Sequence, residues 1–174
     1  NTYDLVITSP PYVNRVSYIR ELRPYMYWLG YLSDGREAGE LDWQAIGGTW
    51  GTATSRLKQW QPQFAVDSTV EEIACRIRQA HPQNGVLMAN YVLKYFEDMR
   101  LHIQNLTDKL RTGAKIHYIV GNSSFYGILV PAEQILARFF RQQGFEEVKV
   151  AILRKRNCKS ELYEYEITGT YAGA

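Results

Sequence analysis

Asp4-Leu5-Val6-Ile7-Thr8-Ser9-Pro10-Pro11-Tyr12 is the stretch from which the rest of the chain is read. Leu5, Val6 and Ile7 are apolar without a break, and Val6 and Ile7 are β-branched. A run of this kind, too short for a helix, predicts a buried strand. Pro10 and Pro11 stop it, because neither carries a backbone N–H for a continuing ladder. In an open α/β sheet, ligands bind beyond the carboxyl ends of the strands, which is where Ser9 to Tyr12 would lie.

Outward from that corner, Val13 to Leu32 reads as a helix, with Tyr18, Leu22, Tyr25, Trp28 and Leu29 at helical spacings and Pro24 kinking or dividing it. Residues 33–65 are rich in Gly, Trp and charge, include Gly47-Gly48-Thr49-Trp50-Gly51, and are expected to form an insert with weak regular structure. Asp67-Ser68-Thr69 marks a helix start before Val70, Ile73 and Ile77. The clearest helix runs from Val86 to Arg111, where Val92, Tyr95, Phe96, Met99, Ile103, Leu106 and Leu110 make one apolar stripe that Gly113 ends. Ala114 to Val120 predicts a second buried strand, followed by a polar loop from Gly121 to Gly127. Pro131 suits a first helical position, and Ile135, Leu136, Phe139 and Phe140 carry that helix to Gly144. Val148 to Leu153 and Leu162 to Tyr171 alternate as strands, joined by a hairpin or connection. This order predicts an α/β layer with a largely parallel sheet, and no internal repeat is present.

Composition bounds the answer without deciding it. The 174 residues are the size of one domain, with 45% hydrophobic and 22% charged residues, as in ordinary globular chains. A net charge of +2 is too small to argue for nucleic acid by itself. Cys75 and Cys158 make neither a disulfide framework nor a metal spacing, so a reducing cytoplasm is expected. His81, His102 and His117 also lack metal-ligand spacing, and no metal is expected. No apolar run is long enough to span a bilayer, so no membrane partner is expected. The chain opens on Asn1 with a strand almost at once, which predicts a piece of something longer.

The chemistry at the corner suits an exocyclic amine. An aromatic amino group is a poor nucleophile, because its lone pair is delocalised into the ring. Acceptors that take hydrogen bonds from its two hydrogens return electron density to the nitrogen. The Ser9 hydroxyl and a carbonyl of the Pro10 region are acceptors of this kind. The two prolines fix φ and remove competing N–H groups. Tyr12 supplies a flat ring for stacking, worth roughly 1–3 kcal/mol per base. That offsets part of the few kcal/mol, roughly, needed to extrude a base from a duplex.

The same nine residues resemble the catalytic motif of DNA amino-methyltransferases, which place Ser, Asp or Asn before Pro-Pro and an aromatic residue. The resemblance covers residues 1–30 and 113–171, and is poor over 33–80. It implies a Rossmann-like methyltransferase sheet, present in part: the catalytic half, mainly parallel, with an antiparallel last strand. It further implies that residues 1–174 form this target-base-binding half, carrying the Gly/Trp-rich insert at about 33–65. The serine form is more typical of cytosine-N4 enzymes. By resemblance, Ser9, Pro10, Pro11 and Tyr12 are catalytic: Ser9 and the Pro10 carbonyl hold the amine, and Tyr12 stacks on the flipped base. Asn122 and Ser123 would line the pocket mouth, and Arg156 and Asn157 would flank the target base. S-adenosylmethionine is the implied cofactor. The family's F-x-G-x-G signature is absent from the chain, so cofactor binding by these residues alone is expected to be weak or undetectable. The implied partners are double-stranded DNA and a cofactor-binding half of the parent protein, with self-association through an unpaired edge of the first strand.

Two rivals stand beside this reading. An adenine or RNA amino-methyltransferase would use the same motif on another base, and a catalytically silent nucleic-acid-binding domain would keep the fold without chemistry. Arg15, Arg20 and Arg23, like Arg154, Lys155, Arg156 and Lys159, suit either phosphate contacts or a solvated charged face. Trp43, Trp50 and Trp60, with Arg56 and Lys58, suit either DNA recognition or packing of the insert. Cys158 is given no role, since amine methylation needs no thiol.

Overall fold

Leu5, Val6 and Ile7 form a strand, β1 (Tyr3–Thr8), parallel to β2 (Leu110–Gly121) in a four-stranded sheet. The computed structural model describes residues 2–48, 52–157 and 161–173. Thr49, Trp50 and Gly51 of the glycine-rich run, together with Cys158 and Lys159, lie outside the described residues. The chain divides into two compact units, one of Asn1–Val13 with Phe96–Ala174 and one of Asn14–Tyr95.

The first unit holds the sheet, in the order β1-β2-β6-β5, with β5 (Phe145–Lys155) and β6 (Tyr163–Tyr171). β6 is antiparallel to both β2 and β5, so β1, β2 and β5 share one direction and the last strand opposes them. A helix, α6 (Ala132–Gln142), packs against β2, β5 and β6. Its Ile135, Leu136 and Phe140 meet the strand residues Ile116, Tyr118, Val120 and Ile167 in a fully buried core. Each such side chain contributes about 1.5–3 kcal/mol of apolar burial. Tyr118, Phe140, Phe145 and Tyr171 continue it as a chain of ring contacts with centroids 4.9 to 5.1 Å apart.

β1 is not the buried strand its composition predicts. Tyr3, Leu5 and Ile7 are exposed, Ile7 by 68%. β1 stands at the end of the strand order and, among the described residues, pairs with β2 alone, so continuous apolarity here marks an uncovered edge. The Val86–Arg111 expectation also shifts. The helix, α5 (Gly85–Thr107), stops earlier, and Leu110 and Arg111 already belong to β2. Gly113 is no helix terminator: at φ 89° it lies within β2, where the register slips from Tyr3↔Leu110 to Leu5↔Lys115. Glycine tolerates that left-handed backbone, which makes it a bulge residue. The polar loop expected from Gly121 to Gly127 contains a small hairpin of β3 (Ser123–Phe125) and β4 (Ile128–Val130). Pro131 is the N-cap of α6 rather than its first helical residue.

The second unit contains α1 (Tyr18–Trp28), α2 (Gly35–Gln44), α3 (Thr52–Gln59), α4 (Ser68–Ala80) and α5 as far as Tyr95. The segment expected to lack regular structure is therefore mostly helical. Asp34 accepts hydrogen bonds from the backbone N–H groups of Arg36 and Glu37 at 2.7 and 2.9 Å. The Glu37 carboxylate accepts one from Ser33 N–H at 2.7 Å, in the manner of a capping box. α3 is closed at its far end by the Asn90 amide, which donates to the carbonyls of Leu57 and Trp60. Asp67 caps α4 as the sequence predicts. α1 is shorter than expected and runs through Pro24 undivided. None of its residues is buried: Tyr18, Leu22, Tyr25, Trp28 and Leu29 form an exposed stripe.

Candidate functional site

The chain leaves β1 at Ser9, which is exposed. Pro10 turns inward and is buried, while Pro11 and Tyr12 are half-buried. The Tyr12 ring then lies against the end of β2. A Cβ placed on Gly121 would fall 2.7 Å from its Cδ2 and 2.9 Å from its Cε2. The Arg156 guanidinium lies over the same ring, 5.7 Å from its centroid, at the end of β5. Its Nη1 donates to the Asn122 carbonyl at 3.0 Å. Asn122 is buried, and its Oδ1 accepts from Tyr163 N–H at 2.9 Å, joining the end of β2 to the start of β6.

The structure thus brings Tyr12, Asn122 and Arg156 together at the carboxyl end of β1 and β2, with Ser9 and Pro10 beside them in the chain. Ser123 follows Asn122 and is buried, and its hydroxyl has no partner among the described residues. Asn157 is exposed and lines an open hollow of about 340 Å³ with Arg154, Lys155, Arg156 and Glu164. The basic stretch around it is largely paired within the hairpin. Arg154 holds Glu164 through two hydrogen bonds of 2.6 and 3.1 Å, and Lys155 approaches Glu161 at 3.4 Å. The Arg154 hydrogen bond, then burial opposing it, then the Arg154 and Arg156 charges set the Glu164 carboxyl below its ordinary range.

Three residues of this end of the sheet escaped sequence reasoning. Gly121 reads from sequence as a loop glycine, yet its role is spatial. Tyr163 carries the N–H that Asn122 secures. Glu133, in the first turn of α6, is buried with Oε2 unpartnered among the described residues, and burial raises its pKa. An acidic first-turn residue reads as an ordinary complement to the helix dipole, so no sequence signal singled it out.

In the second unit, Arg20 and Arg23 line a separate hollow of about 280 Å³ with Ser17 and Asp42. The Ser17 hydroxyl donates to the buried Asp42 carboxylate, and the same oxygen accepts from Arg20 N–H, capping α1. Arg15 has a left-handed backbone (φ 61°), and its N–H donates at 3.0 Å to Tyr91, whose phenol is pushed up to about 12 mainly by burial. Trp43 is flanked by Arg56 and Lys94, 5.8 and 4.9 Å from its ring.

The described residues do not fit S-adenosylmethionine by themselves. Gly47 and Gly48 follow the helix α2 rather than a strand, Gly113 serves a bulge, and Gly127 and Gly144 occupy left-handed turn positions. None opens a strand–loop–helix cradle of the kind that holds a nucleotide-like ligand. Among the described residues no cluster of three His, Cys, Asp or Glu side chains can hold a metal ion, and no helix is long and apolar enough to cross a membrane.

No family model matches the chain. No solved structure matches it either. Curated proteins do. Type II methyltransferase M.BsoBI of Geobacillus stearothermophilus is 24% identical over an alignment covering 92% of this chain and 35% of the relative. Type II methyltransferase M.AvaI of Nostoc sp. is 25% identical over 87% of this chain and 32% of the relative, and M.AvaI of Anabaena variabilis matches to the same extent. The chain spans about a third of the length of the curated relatives it matches, and over that third it is similar to type II methyltransferases.

Proposed function

We propose that this chain is the target-base-binding half of an S-adenosylmethionine-dependent DNA methyltransferase that modifies the exocyclic amine of an everted cytosine. The observation that carries the reading is the Ser9–Tyr12 corner. It follows the parallel strand β1, leaves Ser9 exposed, and lays the Tyr12 ring against the end of β2. The similarity to type II methyltransferases over nearly the whole chain supports it. So does the sheet, whose three codirectional strands and opposed last strand suit the catalytic half of a Rossmann-like methyltransferase.

The cofactor, held by other segments of the parent protein, supplies an electrophilic methyl group. The work of these residues is positioning, desolvation and polarisation. The Ser9 hydroxyl and the Pro10 carbonyl accept hydrogen bonds from the two amine hydrogens and leave the nitrogen lone pair available. Tyr12 stacks on the base, while Ser123 and Asn157 border the site. After transfer the surplus amine proton leaves to water, so no strong protein base is required. The serine at position 9 favours cytosine-N4 over adenine through its resemblance to the motif of those enzymes. The parent protein is read as cytoplasmic.

The test uses the full-length protein with radiolabelled S-adenosylmethionine and separate duplex DNA, single-stranded DNA and RNA, followed by hydrolysis and identification of the labelled base. N4-methylcytosine in duplex DNA is the expected product. Label in N6-methyladenine corrects the target, label confined to RNA corrects the substrate, and no label in any nucleic acid removes the enzymatic reading.

A further inference from the structure

Gly121 and Arg156 both border the ring of Tyr12. Gly121 is not a glycine of backbone necessity: it is absent from the residues with left-handed φ, unlike Gly113, Gly127 and Gly144. What it provides is space. Any side chain there would place Cβ 2.7 and 2.9 Å from two carbons of the Tyr12 ring and 3.3 Å from Arg156 Nη1. Real Cβ atoms essentially never approach a neighbour so closely, so an alanine at this position forces the ring to move.

A second constraint comes from Arg156. Its guanidinium lies over the ring at 5.7 Å while Nη1 donates to the Asn122 carbonyl at 3.0 Å. The arginine is held at its own backbone, where its N–H donates to the Leu162 carbonyl at 2.8 Å. Asn122 is held in turn by accepting from Tyr163 N–H. A planar guanidinium can face a ring and donate at its edge at once, which a lysine ammonium cannot do in the same way.

We propose that Gly121 and Arg156 act as a clamp that positions Tyr12, with Asn122 as its anchor, and that the target base stacks on the ring face away from the guanidinium. Gly121 and Asn122 are then positioning residues, acting through Tyr12 rather than on the base. This inference rests on the reading of Tyr12 as the platform for an everted base.

The test compares Gly121→Ala, Arg156→Ala, Arg156→Lys and Tyr12→Ala in the full-length protein. Steady-state methylation is measured alongside the fluorescence of a duplex carrying 2-aminopurine at the target position. A misplaced platform lowers kcat by about a hundredfold in Gly121→Ala, while KM for DNA changes by less than about threefold. The everted probe, no longer stacked on the ring, becomes brighter than in the wild type. Arg156→Lys loses as much as Arg156→Ala, because charge alone does not restore the clamp. Far-UV circular dichroism reports folding, and the more accessible Arg156 variants carry the test if Gly121→Ala does not fold. Wild-type kcat and probe quenching in the Arg156 variants, with loss in Tyr12→Ala, overturns the clamp and leaves the base-binding reading standing. Full activity in Tyr12→Ala overturns both.

Discussion

His102 shows how a side chain outside the site reports on the unit that carries it. Its Nε2 lies 2.9 Å from the buried Tyr118 hydroxyl, and burial lowers its pKa below the ordinary 6.5. The folded state therefore binds its proton less readily than the unfolded chain does. The resulting stability is fully present above the unfolded value and is lost as pH falls through the lowered folded one. Thermal melts from about pH 7 to about pH 5 should fall in midpoint, and His102→Gln should flatten that slope. Equal slopes in both proteins would remove the assignment. At this scale the sequence points to the corner because Ser9-Pro10-Pro11-Tyr12 is contiguous, and the structure places that corner after β1. The sequence does not point to the clamp. Gly121 and Arg156 meet Tyr12 only after β2 and β5 fold, and nothing about an isolated glycine or arginine announces a ring contact distant in sequence.

Among the elements, hydrophobic periodicity found most strands and the longer helices, but it erred where two periods overlap. Leu106 and Leu110 extend a helical stripe on paper, yet Leu110 is buried as a strand residue. The deciding feature is Gly113, whose left-handed backbone permits the bulge between the first and second pairings of β1 with β2. Gly113→Ala meets no steric neighbour, so its cost is conformational and should be about 1–2 kcal/mol. Urea titration of the 174-residue chain measures it, and an unchanged midpoint would contradict the bulge assignment. Residues 33–65 were misread for a different reason. Their Gly and Trp content resembles a loop, whereas the decisive signal, Ser33-Asp34 followed by Glu37, is a helix start that composition hides.

At the scale of the whole chain, the exposed apolar side chains among the described residues include Tyr3, Leu5 and Ile7 on β1 and the Tyr18–Leu29 stripe on α1. An uncovered strand edge is a template for pairing. The isolated chain should therefore associate as its concentration rises, and Leu5→Lys with Ile7→Lys should reduce that association in sedimentation velocity. Concentration-independent monomers in both forms would contradict the edge as a contact surface. The central claim is that the corner after β1 presents an amine for methylation, and Ser9→Ala in the full-length protein tests it most directly. Single-turnover methylation of duplex DNA should slow by about a hundredfold or more, with DNA affinity and the melting temperature retained. Methylation at the wild-type rate would contradict the claim.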